Sequence, residues 1–135
     1  MAALISCNSG KSQTLNNNRM IEQTELTNPK VNKYVFLDCM YQDSYFPKYL
    51  VDKCKNILLE LCYNIETSKP SNLDQLYNLT HSSTDKLNDL QDEFFENNSE
   101  IETGARECLA ENFDFIADAY DFDADIEELI ATRDW

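Results

Sequence analysis

The 135-residue sequence contains only two glycines and three prolines. That scarcity disfavours architectures built from many tight turns, which draw heavily on both residues. Basic side chains are also in short supply: 11 Lys and Arg stand against 25 Asp and Glu, for a net charge of −14. Direct binding to nucleic acid or to an anionic membrane needs a basic footprint, so this balance argues against both. Histidine occurs once, as His81, and no apolar run approaches the roughly 18 residues of a membrane span. What is present is hydrophobic content of 42%, enough for one core, in a chain whose length fits one domain.

The five cysteines, Cys7, Cys39, Cys54, Cys62 and Cys108, are odd in number, and no pair has the two-residue spacing of a zinc knuckle or redox motif. Cys54 and Cys62 sit amid aliphatic residues, where a thiol behaves as a small hydrophobe. A disulfide framework is therefore the less favoured reading, and a reducing cytoplasm the expected compartment. Leu4-Ile5-Ser6-Cys7 has the form of a lipoprotein cleavage box, but only six residues precede the cysteine, too few for the hydrophobic segment of such a signal.

Residues 1–27 are rich in Ser, Asn, Gln and Thr without an apolar period and are expected to form a flexible tail, with residues 1–19 as a candidate upstream extension. Residues 28–135 are expected to form a single all-α domain, a compact antiparallel bundle of four main helices plus a short C-terminal helix. The first helix opens at Asn28-Pro29 and carries Val31, Tyr34, Val35 and Met40; the second follows Pro47, with Leu50, Cys54, Ile57, Leu58, Leu61, Cys62 and Ile65 at three- and four-residue steps. A third is expected over 72–97 on a line of Leu73, Leu76, Tyr77, Thr80, Leu87, Leu90 and Phe94. Ser99 and Glu102 have the spacing of a capping box for a fourth helix running to Tyr120. The short fifth, over about 124–131, carries Ile126, Leu129 and Ile130.

Charge is distributed unevenly over this frame. Residues 1–88 hold nine acidic and nine basic side chains, whereas residues 89–128 hold fifteen acidic residues and one basic residue, Arg106. At about 100° per residue, Glu100, Glu107, Glu111, Asp114 and Asp118 project about 180–240° from Ala105, opposite the apolar side of the fourth helix. On the third helix Asp85, Asp89, Asp92, Glu93 and Glu96 likewise avoid the Leu87 side. If these two helices form an antiparallel hairpin, the stripes merge into one negative surface. A solvated helix face is the ordinary explanation of such a stripe. Here, though, the carboxylates lack basic partners four residues away and repel one another, a cost that a basic protein partner would offset. The expected docking residues are Asp89, Asp92, Glu93, Glu96, Glu107, Glu111, Asp114 and Asp118.

Patterns for chemistry are weak. Ser9-Gly10-Lys11-Ser12 lacks the upstream glycine of a phosphate loop, since Ile5 stands there. Asp121, Asp123 and Asp125 begin like a calcium loop, but Ile126 takes the place of the turn glycine and Thr132 that of the closing glutamate. His81 lacks a Glu-x-x-His partner and is expected at the helix edge, pairing with Asp85 on the surface. No catalytic residue, metal ligand or cofactor is assigned. A set of inward-projecting polar residues, Thr84, Asn88, Gln91 and Asn112 with Arg106, allows two readings. One is a satisfied interhelical network; the other is a polar pocket for a small ligand or an enzyme's substrate.

Several strings, Tyr41-Gln42-Asp43-Ser44-Tyr45-Phe46-Pro47, Ile57-Leu58-Leu59-Glu60-Leu61-Cys62, Leu79-Thr80-His81, Ser99-Glu100-Ile101-Glu102-Thr103 and Arg133-Asp134-Trp135, resemble an uncharacterised bacterial family catalogued as domain of unknown function 5713. The resemblance covers roughly residues 28–135. It implies a bacterial source and a compact helical domain, and it carries no catalytic residues. This chain departs from the family at Asp121 and Asn98, where glycine is usual or frequent. The leading expectation is a non-enzymatic domain that docks a basic protein, in concrete form a bacterial immunity protein facing a basic toxin. The alternatives are a ligand-binding protein or enzyme using the polar pocket, and a mimic of nucleic acid.

Overall fold

Asn28 and Pro29 start the first helix as the sequence predicts. In the computed structural model, which describes residues 20–135, the Asn28 side chain accepts hydrogen bonds from the Lys30 and Val31 nitrogens, and Pro29 occupies the first helical position. The four main helices expected are realised with one break. The first is divided into α1 (Pro29–Lys33) and α2 (Asp38–Tyr41), because Tyr34 is extended and Leu37 is left-handed, with φ of 56°. The long helices are α3 (Lys48–Ser68), α4 (Leu73–Glu96) and α5 (Thr103–Ala119); α6 (Ile126–Leu129) is a single turn. Among the described residues there is no strand, and no helix is long and apolar enough to cross a membrane.

The domain begins before residue 28, which corrects the expected tail boundary. Ile21 and Leu26 are buried in the core, and the Gln23 side chain donates to the carbonyls of Val31 and Tyr34. Polar composition masked this segment: two apolar anchors and one amide suffice to fasten it. The expected extension over 1–19, the Ser9-Gly10-Lys11-Ser12 string and Cys7 with its cleavage-box residues lie outside the described residues.

α3 and α4 form an antiparallel hairpin. Lys53 pairs with Glu93, while Glu60, farther along α3, pairs with Lys86, farther back along α4. The core gathers Leu50, Leu58, Leu61, Leu76, Leu87 and Phe94 from this hairpin with Leu109, Phe113 and Ile116 from α5. Leu73, expected in the core, lies on the exposed first turn of α4. α5 lies closest to α6, α2 and α1. The helix thus runs under the N-terminal segment, to which a Cys39–Cys108 disulfide joins it, with Cα atoms 6.0 Å apart. That bond corrects the expectation of unpaired thiols: its partners are 69 residues apart, so spacing along the chain gave no sign of it.

Three turns rest on left-handed residues besides Leu37, namely Lys69, Asn98 and Asp121. Asn98 and Asp121, the two positions at which the resemblance implies glycine, both take a backbone conformation that glycine adopts most freely. Asn98 also moves the start of α5. The Ser99 nitrogen closes the end of α4 by donating to the Phe94 carbonyl, and the helix begins later, with Glu102 as its cap. The expected Ser99–Glu102 capping box is therefore absent.

Candidate functional site: the acidic face of α5

α5 owes its orientation to a strongly asymmetric sequence. The Glu102 carboxylate accepts from the Ala105 nitrogen at 3.0 Å, supplying negative charge where the helix dipole favours it. Ala105, Cys108, Leu109, Asn112, Phe113 and Ile116 are buried beneath the helix. Glu107, Glu111 and Asp118 are exposed on the outside, with Asp114 half-buried in the same line. These four residues advance by four, three and four positions, which stacks them along one face. Among the described residues none of the four has a hydrogen-bonding or ion-pair partner. Glu111 acts on its surroundings nonetheless: the Tyr34 hydroxyl is pushed up, chiefly by burial and then by the Glu111 carboxylate. The Tyr34 ring is in turn stacked on Phe115 of α5, with centroids 3.7 Å apart.

The α4 carboxylates divide differently. Asp89, Asp92 and Glu96 are exposed and unpaired among the described residues. Glu93 is half-buried, and both its oxygens lie 2.9 Å from Lys53 Nζ, so this predicted docking residue is spent on the hairpin. Since α4 packs most closely on α3, the α4 and α5 stripes are not the two halves of one tight hairpin. Glu100 precedes α5, outside any helix, and stands off the helical line. The uninterrupted part of the acidic surface is the α5 face.

The inward polar residues hold backbone. Thr84 donates to the Thr80 carbonyl, and Asn112 accepts from the Leu37 nitrogen while donating to the Cys108 carbonyl. Asn88 clamps the C-terminal segment, donating to the Thr132 carbonyl and accepting from the Asp134 nitrogen. Arg106 Nε donates to the main-chain oxygen of Trp135. Gln91 is half-buried and takes no part in these contacts. His81 belongs to the same system, which corrects its expected pairing with Asp85. Its Nε2 lies 2.7 Å from the Glu128 carbonyl, and its ring stacks on Tyr77, whose hydroxyl accepts from the Asp125 nitrogen. The segment after α5 is thus strapped along α4 by side chains that recognise its main chain. Three surface cavities, of about 300 to 400 Å³, are lined by none of the five residues named for a pocket.

One polar cluster escaped the sequence. The Glu66 carboxylate accepts from the Thr27 nitrogen and hydroxyl, from the Asn28 nitrogen, and from the Tyr120 hydroxyl at 2.6 Å. It lines a 380 Å³ surface cavity with Lys69, Pro70 and Phe122. Burial pushes the Glu66 carboxyl up, but these donors outweigh it and hold the group below its ordinary value. Its partners lie 38 to 54 residues away, beyond the reach of any local pattern. With its oxygens so occupied, Glu66 is a knot joining α3, the N-terminal segment and the end of α5. Among the described residues no group of three or more His, Cys, Asp or Glu is placed to hold a metal ion.

The model of a family of unknown function, DUF5713, matches residues 30–135. The chain belongs to this family. No curated protein and no solved structure was found to match. The matched span runs from the second residue of α1 through α6, and so covers the α5 face and the C-terminal strap together.

Proposed function

We propose that this DUF5713 protein is a non-enzymatic binding domain that docks a basic protein on the acidic face of α5. One observation carries the reading: among the described residues Glu107, Glu111, Asp114 and Asp118 stand in line without a cation, while elsewhere Glu93, Glu60 and Glu127 have Lys53, Lys86 and Arg133. Like charges so placed destabilise a helix, and a cationic partner offsets that while gaining a faster encounter. Asp89, Asp92 and Glu96 on α4 extend the field that steers such a partner. In concrete form the protein is an immunity protein that neutralises a basic toxin; a small acidic domain suits that task. The pocket reading loses ground, because four of the five residues it needs already hold backbone.

The cytoplasm is the proposed compartment, with Cys39–Cys108 as an exchangeable bond there, since permanent disulfides are rare under reducing conditions. Acid quenching of intact cells, then alkylation of the denatured protein at neutral pH and non-reducing peptide mapping, checks this; a fully oxidised pool indicates an oxidising compartment instead.

The docking test is affinity capture from the native cells at low and high salt, comparing the wild type with a Glu107→Lys, Glu111→Lys, Asp118→Lys triple variant. A basic protein retained by the wild type, released as salt rises and lost by the variant with helical circular dichroism intact supports the reading. Equal capture by both proteins overturns it. Co-expression of the captured protein with each form then reads the immunity role as growth or arrest.

A further inference from the structure

The cysteine chemistry of the described residues is concentrated at one point. Cys54 and Cys62 are buried on α3; burial pushes the Cys54 thiol up to about 12 and the Cys62 thiol up as well, so neither supplies a thiolate at neutral pH. Cys39 and Cys108 are bonded to each other, and their environments differ. Cys39 is exposed on α2, whereas Cys108 is buried beneath α5. An incoming thiolate therefore finds Cys39, with Cys108 as the leaving sulfur.

The approach is electrically biased. Exposed Asp38 adjoins Cys39; exposed Glu107 adjoins Cys108, and Glu111 stands one turn farther along α5. The bases on α5 and on the neighbouring α1 are Arg106, whose Nε is engaged by Trp135, and Lys30 and Lys33, five or more residues before Asp38; α3, which packs against α2, carries Lys48, Lys55 and Lys53, the last engaged by Glu93. A negative field close to the sulfurs slows an anionic thiol and favours a cationic one.

We propose that Cys39–Cys108 is a thiol-exchange site, opened at Cys39 by a reductant whose thiols are carried on a cationic molecule. In the first step the reductant's thiolate bonds to Cys39 Sγ as the Cys39–Cys108 bond breaks. The electron pair leaves on Cys108 Sγ, which takes a proton from solvent. A second reductant thiolate then attacks the reductant sulfur of the mixed disulfide, releasing Cys39 as a thiolate that is protonated in turn. The protein gains two electrons and two protons, and the two reductant thiols become one disulfide. Opening removes the covalent tie between α2 and α5 and frees a closed loop containing all of α3 and α4. Asn112 to Leu37 and Asn28 to Ala119 still fasten the N-terminal segment, so the fold loosens without separating. The melting midpoint is expected to fall by on the order of 10 °C.

The test uses the full, air-oxidised protein at neutral pH and two small thiols, cationic cysteamine and anionic mercaptoacetate. Each rate is divided by the same thiol's rate on the neutral bis(2-hydroxyethyl) disulfide, which removes differences in intrinsic reactivity. Reaction is stopped by alkylation and mapped by mass spectrometry against protein that met no reductant. Expected are a several-fold corrected preference for cysteamine at low salt, its collapse at high salt, and its reduction in a Glu107→Gln, Glu111→Gln variant. New alkylation should fall on Cys39 and Cys108 but not on Cys54 or Cys62, and the first cysteamine adduct on Cys39. Absence of the Cys39–Cys108 linkage from the oxidised protein, a first adduct on Cys108, or equal corrected rates at low salt overturns the proposal.

Discussion

The side-chain oxygen of Asn112 lies 3.0 Å from the backbone nitrogen of Leu37, while the same amide's nitrogen donates to the Cys108 carbonyl at 2.8 Å. Leu37 is left-handed and fully buried, a conformation that costs a non-glycine residue about 1–2 kcal/mol. The amide holds it there by satisfying its N–H, and so sets where α1 gives way to α2. Asn112→Ala leaves that donor orphaned above a small cavity, and a loss of about 2–4 kcal/mol is expected in urea unfolding. Asn112→Asp should not rescue stability at neutral pH, since it brings a buried charge and no donor for the Cys108 carbonyl. A loss well under 1 kcal/mol for both variants would mean that Leu37 needs no such clamp.

Glu66 makes stability depend on acid. Its folded carboxyl titrates below the ordinary 4.5 despite burial, because Tyr120, Thr27 and Asn28 donate to the ionised form. A depressed carboxyl contributes stability above its unfolded value and loses it as pH falls through the folded one. Melting should therefore weaken as pH drops below about 4.5, and Glu66→Gln should flatten that limb. Tyr120 is the mirror case: burial and the Glu66 bond push its hydroxyl well up, so its contribution is present at neutral pH and lost only in strong alkali. Tyr120→Phe is expected to cost about 1–2 kcal/mol at neutral pH, and less at low pH where Glu66 is protonated.

Lys69 follows α3 with φ of 50° and is exposed, its nitrogen donating to the Ile65 carbonyl. Glycine adopts this conformation freely, so Lys69→Gly should raise stability by about 0.5–1 kcal/mol. Leu37→Gly relaxes the same kind of strain but removes a buried side chain, and should destabilise strongly. Opposite signs in thermal melts of the two variants are the check; a destabilised Lys69→Gly would show that the chain's flexibility outweighs the turn.

Much of the fold was legible because helices announce themselves locally. The Leu50 to Ile65 line and the Phe94 side of α4 emerge from period alone, and Asn28-Pro29 marks a start through local capping chemistry. What failed was non-local. Cys39 meets Cys108 across 69 residues, and Glu66 meets Tyr120 across 54. His81 turned from Asp85 to Glu128 because the C-terminal strap offered it a carbonyl. At the candidate site, helical projection placed Glu107, Glu111 and Asp118 outward, but it gave no indication that Lys53 reaches Glu93 from the neighbouring helix. Faces are readable from one helix's period, whereas partners depend on how helices are assembled.

The α5 stripe also makes a claim on stability that needs no partner. Glu107 and Glu111 stand four apart, as do Asp114 and Asp118, and each such like-charge pair costs about 0.2–0.5 kcal/mol at low ionic strength. Salt screens repulsion between exposed charges, so the wild-type melting midpoint should rise from low to moderate sodium chloride. Glu111→Lys turns its repulsions with Glu107 and Asp114 into attractions. It should therefore start more stable by a few tenths of a kcal/mol or more, and gain less from salt. Asp43→Lys, in the exposed turn between α2 and α3, gives up the Asp43 bond to the Tyr45 nitrogen, so it is compared only in its response to salt, as the control that changes net charge equally away from the stripe. If both variants respond alike, the penalty belongs to the protein's overall charge; if Glu111→Lys alone responds, it belongs to the face, where a cationic partner would relieve it.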